Sequence, residues 1–298
     1  GVGVISIRPR CASIAPAIPR AERCRICGAT QLAPVLDLGA LPLVNNLWST
    51  PNGTPEQRRR YPLEVRRCIG CEFVQLAHDV PPEAMFSDYS YFSSYSQTIQ
   101  EHARSLANAM IARRSLGSDD LVVEIASNDG YLLRWYAERG IPVMGIEPAA
   151  NVAEVARQTH GIHSLCEFFT EDLGRELADS GARAKVVHAH NVLAHVPDPV
   201  GFLRGVRHLL APEGELILEV PHLGPLFAEA QFDTIYHEHV GYFSFTALAA
   251  ALERAGLTPV RVEHVAVHGG SLRVTARRGR PAIPERGVLA LLDAEAAG

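Results

Sequence analysis

The chain has 298 residues, a formal charge of −5 and a hydrophobic fraction of 47%, the balance of a globular protein with a full core. That charge gives no electrostatic reason to expect nucleic acid, and no apolar run reaches the roughly 18 residues needed to cross a membrane. The expectation is a cytoplasmic protein acting on a small molecule, with one large and one small domain; the oligomeric state is left open.

Residues 1–20 mix arginines with Ala, Ile and Pro but lack the continuous apolar stretch of a secretory signal, and read as a disordered arm. Residues 21–80 read as a small domain. Four of the six cysteines form two identical pairs, Cys24-Arg25-Ile26-Cys27 and Cys68-Ile69-Gly70-Cys71. A C-x₂-C knuckle turns two thiolates toward one ion, so two knuckles complete a closed, tetrahedral, structural zinc site. Two disulfides would conflict with a reducing compartment, and a redox pair would call for a following strand-helix unit that is not there. Between the knuckles, residues 35–39 read as a short strand, 41–46 as an extended segment and 49–60 as a polar loop.

Residues 81–115 form a linker and a helix. Tyr89, Tyr91 and Tyr95 alternate with Ser87, Ser90, Ser93, Ser94 and Ser96 before the helix at 97–114, a pattern open to a polar linker or a binding loop.

From 116 to 278 the pattern is that of an α/β domain. A strand at 121–126 runs into the turn Ser127-Asn128-Asp129-Gly130 and a helix at 131–139, followed by a strand at 142–147 ending in Glu147. Strands at 185–189 and 215–220 flank a helix at 200–210. Such alternation predicts a parallel sheet covered on both faces, with its ligand at the carboxyl ends of the strands. Glu147 stands 23 residues after Glu124, where a carboxylate can accept both hydroxyls of an adenosine ribose. The last strands, 258–267 and 272–277, are joined by His268-Gly269-Gly270-Ser271 and read as an antiparallel hairpin. A Rossmann-like sheet ending in this way looks like the class I methyltransferase fold, whose cofactor is S-adenosylmethionine.

The run Tyr236-His237-Glu238-His239 carries acid–base chemistry: an imidazole can take a proton from a weak carbon acid, and a neighbouring phenol or carboxylate can fix its tautomer or stabilise its cation. In an extended segment His237 and His239 would share a side and Glu238 would face away. A His-x-His metal site lacks an evident third ligand, and a purely structural run would simply stake down a loop.

Together these motifs resemble the sugar C-methyltransferases that act on nucleotide-linked deoxysugars and carry an N-terminal zinc-binding domain. The likeness runs from about Cys24 to Arg277. It includes both knuckles, Tyr89-x-Tyr91-x-Ser93-Ser94, Glu124 to Gly130, Ala189-His190-Asn191-Val192-Leu193-Ala194-His195, the Tyr236 to His239 run and His268 to Arg273. The resemblance implies zinc on Cys24, Cys27, Cys68 and Cys71. It implies S-adenosylmethionine contacts from Glu124, Ser127, Asn128, Asp129, Gly130, Glu147 and Asn191; His190 and His195, lone histidines near a strand end, read more readily as packed or capping groups than as cofactor contacts. It implies a nucleotide-linked 4-keto-deoxysugar as substrate. His239 would then be the base that enolises the sugar, Glu238 its orienting or relaying partner, Tyr236 a donor to the enolate oxygen, and Tyr91 a further contact near the ketone. Members of that family carry a further C-terminal domain after the hairpin, so residues 279–298 are expected to begin a truncated or missing one. The alternatives are an O- or N-methyltransferase on a small molecule and a non-catalytic zinc- and cofactor-binding module.

Overall fold

The computed structural model describes residues 18–44, 54, 59–86, 92–267, 269–279 and 284–297. Tyr89, Tyr91, Asn45, Asn46, His268, Cys11 and nearly all of the N-terminal arm lie outside the described residues.

Two sheets organise the chain. The first begins with β1 (Leu32–Pro42), β2 (Arg60–Cys68) and β3 (Val74–Leu76), an antiparallel meander whose knuckles sit at the start of β1 and the end of β2. Sequence reading divides β1 into two segments; it is one strand, interrupted by register shifts after Pro34 and Asp37. Gly39 (φ 70°) accommodates the second irregularity, with its N–H bonded to Asp37 Oδ1 at 2.8 Å. The short α1 (Glu83–Phe86) and α2 (Gln97–Arg114) lead to the second sheet, and Ser96 caps α2 by accepting from Ile99 N.

The second sheet is built from β4 (Leu121–Ile125), α3 (Arg134–Ala137), β5 (Val143–Ile146), α4 (Ala150–His160), β6 (Ser164–Leu165), α5 (Glu171–Asp179), β7 (Ala184–His190), α6 (Pro199–Leu209) and β8 (Leu210–Pro221). After α7 (Leu223–Ala228), β9 (Gly241–Tyr242) and α8 (Phe245–Arg254), the sheet is completed by β10 (Leu257–Val265) and β11 (Ser271–Arg278); α9 (Arg286–Ala297) packs beside β10 and α8. The strand order is β10-β11-β8-β7-β4-β5-β6, with β11 antiparallel to both of its neighbours. This is the class I methyltransferase sheet, including the reversed hairpin expected from the Gly-Gly turn.

The central strands are mostly apolar because both faces are covered, with Glu124, His188 and Glu219 among the buried exceptions. Val122, Val186 and Ile217 pack against Ala103, Leu106 and Met110 of α2, while Val123, Val187, Leu216 and Leu218 pack against Leu203, Val206 and Leu252 of α6 and α8. The expected helix 131–139 is shorter than its pattern. Leu132, Leu133 and Tyr136 are driven into the core, and the first turns close by i→i+3 bonds, Trp135 N to Leu132 O and Tyr136 N to Leu133 O.

β9 does not belong to the second sheet. It follows Tyr236 to His239 directly and pairs antiparallel with β3, Val74 opposite Tyr242 and Gln75 opposite Gly241, thereby closing the four-stranded sheet of the cysteine domain. Gly241 is required there, because a Cβ would meet Phe73 Cζ at 2.5 Å. Among the described residues no helix is long and apolar enough to cross a membrane.

Candidate active site

The four cysteine sulfurs lie within 4.8 Å of one another, with Cys24 to Cys71 and Cys27 to Cys68 each at 3.5 Å. Four sulfurs around a zinc at 2.3 Å stand about 3.8 Å apart, so the set closes on the ion with little movement. The backbone N–H groups of Ile26, Cys27 and Gly70 point at Cys24 Sγ and Cys68 Sγ, which disperses thiolate charge. Four thiolates leave no open coordination position, so this zinc is structural.

A cleft of about 1100 Å³ opens at the carboxyl ends of β4, β5 and β7, where the strand order reverses, and runs toward the first sheet. On the strand side it is lined by Asn128, Tyr131, Glu147, Glu167, Phe168 and Asn191. Both carboxylate oxygens of Glu147 accept backbone N–H bonds at 2.9 Å, from Ala149 and Asn128, which sets its orientation at the end of β5. Burial raises its carboxyl above the usual range, against the pull of those bonds. Asn191 sits at φ 52°, held by its N–H to Glu219 O at 2.8 Å, and its buried Oδ1 has no partner. Beneath the cleft floor Glu124 is fully buried beside the Tyr131 phenol, and burial pushes its carboxyl far up against the opposing pull of that phenol. The described lining residues include carboxylates and no Lys or Arg. Such a site suits a cationic ligand rich in hydrogen-bond donors.

Behind Asn191 lies a buried polar chain. Tyr136 Oη is 2.9 Å from His188 Nε2, His188 Nδ1 is 3.0 Å from His190 Nε2, and His190 Nδ1 is 3.3 Å from Glu219. Arg273 and His102 close on the same carboxylate at 2.6 and 3.1 Å. Burial would raise the Glu219 carboxyl, but His190, His102 and Arg273 outweigh it and hold the group ionised.

At the other end of the cleft stand His195, Tyr236 and His239, beside Pro82, Phe86 and Leu226. The run is a turn, closed by His239 N to Tyr236 O at 3.1 Å. His239 Nδ1–H donates to Thr234 O at 2.8 Å, which leaves Nε2 as the acceptor nitrogen, 3.0 Å from Tyr236 Oη. Burial and the Glu238 carboxylate raise the Tyr236 phenol well above its ordinary range, so it stays protonated and donates. His195 Nδ1–H donates to Glu238 O at 2.8 Å, with its ring 5.0 Å from that of His239.

A family profile described as a methyltransferase domain matches residues 99–262, more than half of the chain. The chain belongs to the methyltransferases. A second profile, for a zinc binding domain, matches residues 24–86 of this methyltransferase. It is 37% identical over 270 residues to C-methyltransferase NovU of Streptomyces niveus, covering 89% of this chain and 64% of that protein. It is 30% identical over 151 residues to the ubiquinone biosynthesis O-methyltransferase of Xanthomonas axonopodis pv. citri (strain 306), covering 46% of this chain and 62% of that protein. The chain thus spans under two thirds of the length of these relatives. Among solved structures it is similar to magnesium protoporphyrin IX methyltransferase (ChlM) from Synechocystis PCC 6803 with bound SAM, at 17% identity and a TM-score of 0.46, over 60% of this chain and 79% of that one. The acceptor-rich, anionic cleft of this methyltransferase matches the ammonium, sulfonium and ribose hydroxyls of S-adenosylmethionine.

Of the residues expected to meet the cofactor, Asn128, Glu147 and Asn191 line the cleft, whereas Glu124, Ser127, Asp129 and Gly130 are not among its lining residues. Ser127 Oγ packs on Ser164 Oγ at 3.1 Å. Asn128 Oδ1 and Asp129 Oδ2 accept from Ser93 N and Ser94 N, at 2.8 and 3.1 Å, so these two side chains fasten the serine-rich segment over the loop. Of the acid–base run, Tyr236 and His239 reach the cleft of the methyltransferase together, while Glu238 is buried outside the lining. The segment is a turn rather than extended, so His237 does not share a side with His239: it reaches the first sheet, where Nε2–H donates to Tyr61 O at 3.0 Å. Sequence reading underweighted His195 and did not single out Glu167, Phe168 or Tyr131. The acidic-aromatic stretch Glu167-Phe168-Phe169 after a short strand was the available signal.

Proposed function

We propose that this methyltransferase transfers the cofactor's methyl group to the carbon next to the ketone of a nucleotide-linked 4-keto-deoxysugar. The observation that carries the reading is the Tyr236–His239 pair, a tautomer-fixed imidazole and a protonated phenol facing the same end of the cleft. Rotation of the Tyr236 O–H from Nε2 to the ketone oxygen exposes the His239 lone pair. Nε2 takes the proton from the adjacent carbon, and the C–H electron pair becomes the enolate, whose oxygen is stabilised by the Tyr236 hydrogen bond. The new His239 Nε2–H then donates to Tyr236 Oη, so the pair keeps its contact with the bond reversed. S-adenosylmethionine, when bound, supplies an electrophilic methyl group for the resulting carbon nucleophile. Glu147 and Asn191 hold it, Glu147 at the ribose. Glu238 acts on Tyr236, keeping the phenol protonated, and Tyr91 is assigned to the ketone on the resemblance alone.

The test is incubation with a nucleotide-linked 4-keto-deoxysugar and methyl-labelled cofactor. Carbon-bound label is expected, together with deuterium uptake beside the ketone in heavy water. His239→Asn is expected to abolish both; exchange that survives this change removes His239 as the base. Label on oxygen instead overturns C-methylation in favour of O-methylation, a reading supported by the similarity to an O-methyltransferase over about half the chain.

A further inference from the structure

The run 236–239 divides its side chains between two bodies of the protein. Tyr236 and His239 face the cleft, whereas His237 is 3% exposed and reaches away from it to the carbonyl of Tyr61 at the start of β2. Its ring meets the Tyr61 ring edge-on at 6.0 Å, and the Arg59 guanidinium lies over the other ring at 5.2 Å. A carbonyl can only accept, so His237 carries its proton on Nε2. Burial lowers its basicity, which keeps the ring neutral. Four residues further on the chain enters β9, which adds to β3 through the Val74–Tyr242 and Gln75–Gly241 pairs, with Leu76 N to Val240 O at 2.9 Å just before it. On the opposite side Gln231, at the beginning of the same loop, donates to Gly269 O at 2.8 Å, anchoring it to the β10–β11 hairpin.

We infer that His237 is a positioning residue: its bond to Tyr61 O, together with β9, makes the zinc-binding domain the platform that holds the Tyr236–His239 pair in the cleft. The inference rests on the reading of His239 as the base. One backbone bond closes the turn, Thr234 O and the His195 ring bond to it from the cleft side, and His237 bonds it to the first sheet. The anchor on the zinc-binding side comes from the first sheet, through the His237 side chain and β9. His237 is not among the residues that line the cleft, so its contribution to rate passes through its neighbours.

The test compares His237→Gln, whose amide reaches a similar position and can still donate to Tyr61 O, with His237→Leu and the shorter His237→Asn, which cannot. Amide hydrogen exchange on the whole chain is read first. Residues 238–242 are expected to exchange about tenfold faster in the Leu and Asn variants and at the wild-type rate in the Gln variant, the loss of one net hydrogen bond. Zinc content and S-adenosylmethionine affinity are expected to be unchanged in all three. In turnover, kcat is expected to fall about 100-fold in the Leu and Asn variants with KM for the cofactor held, and to recover in the Gln variant, because small misplacement of a base is costly. Unchanged exchange in the Leu and Asn variants overturns the inference. So does a Gln variant as damaged as the other two, which would give the imidazole itself a chemical role. Should the Leu variant not fold, the Asn and Gln variants decide the matter. Exchange and cofactor binding need no sugar, so failure of the keto-sugar reading would appear separately, as a wild type that does not turn over.

Discussion

Tyr236 Oη and His239 Nε2 stand 3.0 Å apart, three residues apart in sequence, with the two rings tilted at 38° and their centroids 4.3 Å apart. The bond has one direction, because Thr234 O claims the proton of Nδ1. Removing the hydroxyl while keeping the ring separates the two roles. Tyr236→Phe is expected to lower kcat for methyl transfer about 100- to 1000-fold, the cost of one lost donor at a developing oxyanion. Cofactor affinity is expected to hold, and substrate deuterium exchange should drop with kcat. A Phe variant with undiminished exchange would show that the phenol does not stabilise the enolate.

Glu147 joins the cofactor loop to the end of β5 through bonds to Asn128 N and Ala149 N. Glu147→Ala is expected to weaken S-adenosylmethionine binding about 10- to 100-fold, the range for losing hydrogen bonds to a charged acceptor, as read by titration calorimetry. Ser127→Ala, at the Ser164 contact outside the cleft lining, is expected to leave affinity within about twofold, the scatter of a change that removes no ligand contact. Equal losses in the two variants would place Ser127 in the site after all.

The sheet was legible because its central strands are predominantly apolar segments alternating with helices, and the hairpin because two glycines at φ 74° and 106° permit its turn. The knuckles were legible for a similar reason, since their ligand geometry is local. What failed to show was direction. In the loop after β4, Ala126, Asn128 and Gly130 all have positive φ, and no period tells which side chain then faces the cleft. Alternation would put His237 beside His239 only in an extended segment, and whether the run turns was not written in it; one i→i+3 bond at Tyr236 turns the two rings apart. β9 is two residues long and exists only because β3, more than 160 residues earlier, offers it an edge. His195 likewise reaches its partner across 43 positions, a proximity that only the folded chain creates.

Zinc removal is expected to act on the active site without touching it. Cys68 is fully buried at the end of β2, next to the β3 strand on which β9 rests. Cys68→Ser is expected to abolish the one equivalent of bound zinc, measured by elemental analysis, and to lower the melting temperature, because structural zinc contributes folding energy directly. Chelation of the wild type should do the same, with reversal on adding zinc back. A metal-free protein with unaltered melting would remove the zinc from the fold's support.

Acid is expected to release the C-terminal helix before the sheet. Glu295 on α9 accepts from His222 Nε2 at 3.0 Å, from Phe245 N at 2.8 Å and from Thr246 N and Oγ1 at 2.7 Å, tying α9 to the start of α8 and to the cleft wall. Burial alone would raise its carboxyl; the bonds from His222, Thr246 and Phe245 win and bring it down from 4.5 to about 2. A carboxyl depressed on folding binds fewer protons in the native state, so its stabilisation is complete above the unfolded value of 4.5 and lost as pH falls through about 2. Glu295→Gln, which keeps the shape and one acceptor but no charge, is expected to cost about 1 kcal/mol at neutral pH and progressively less below 4.5. Thermal melts of both proteins across that window check the sign: the two curves should converge on acidification. Curves that stay parallel would mean that the charge of Glu295 contributes nothing to holding α9.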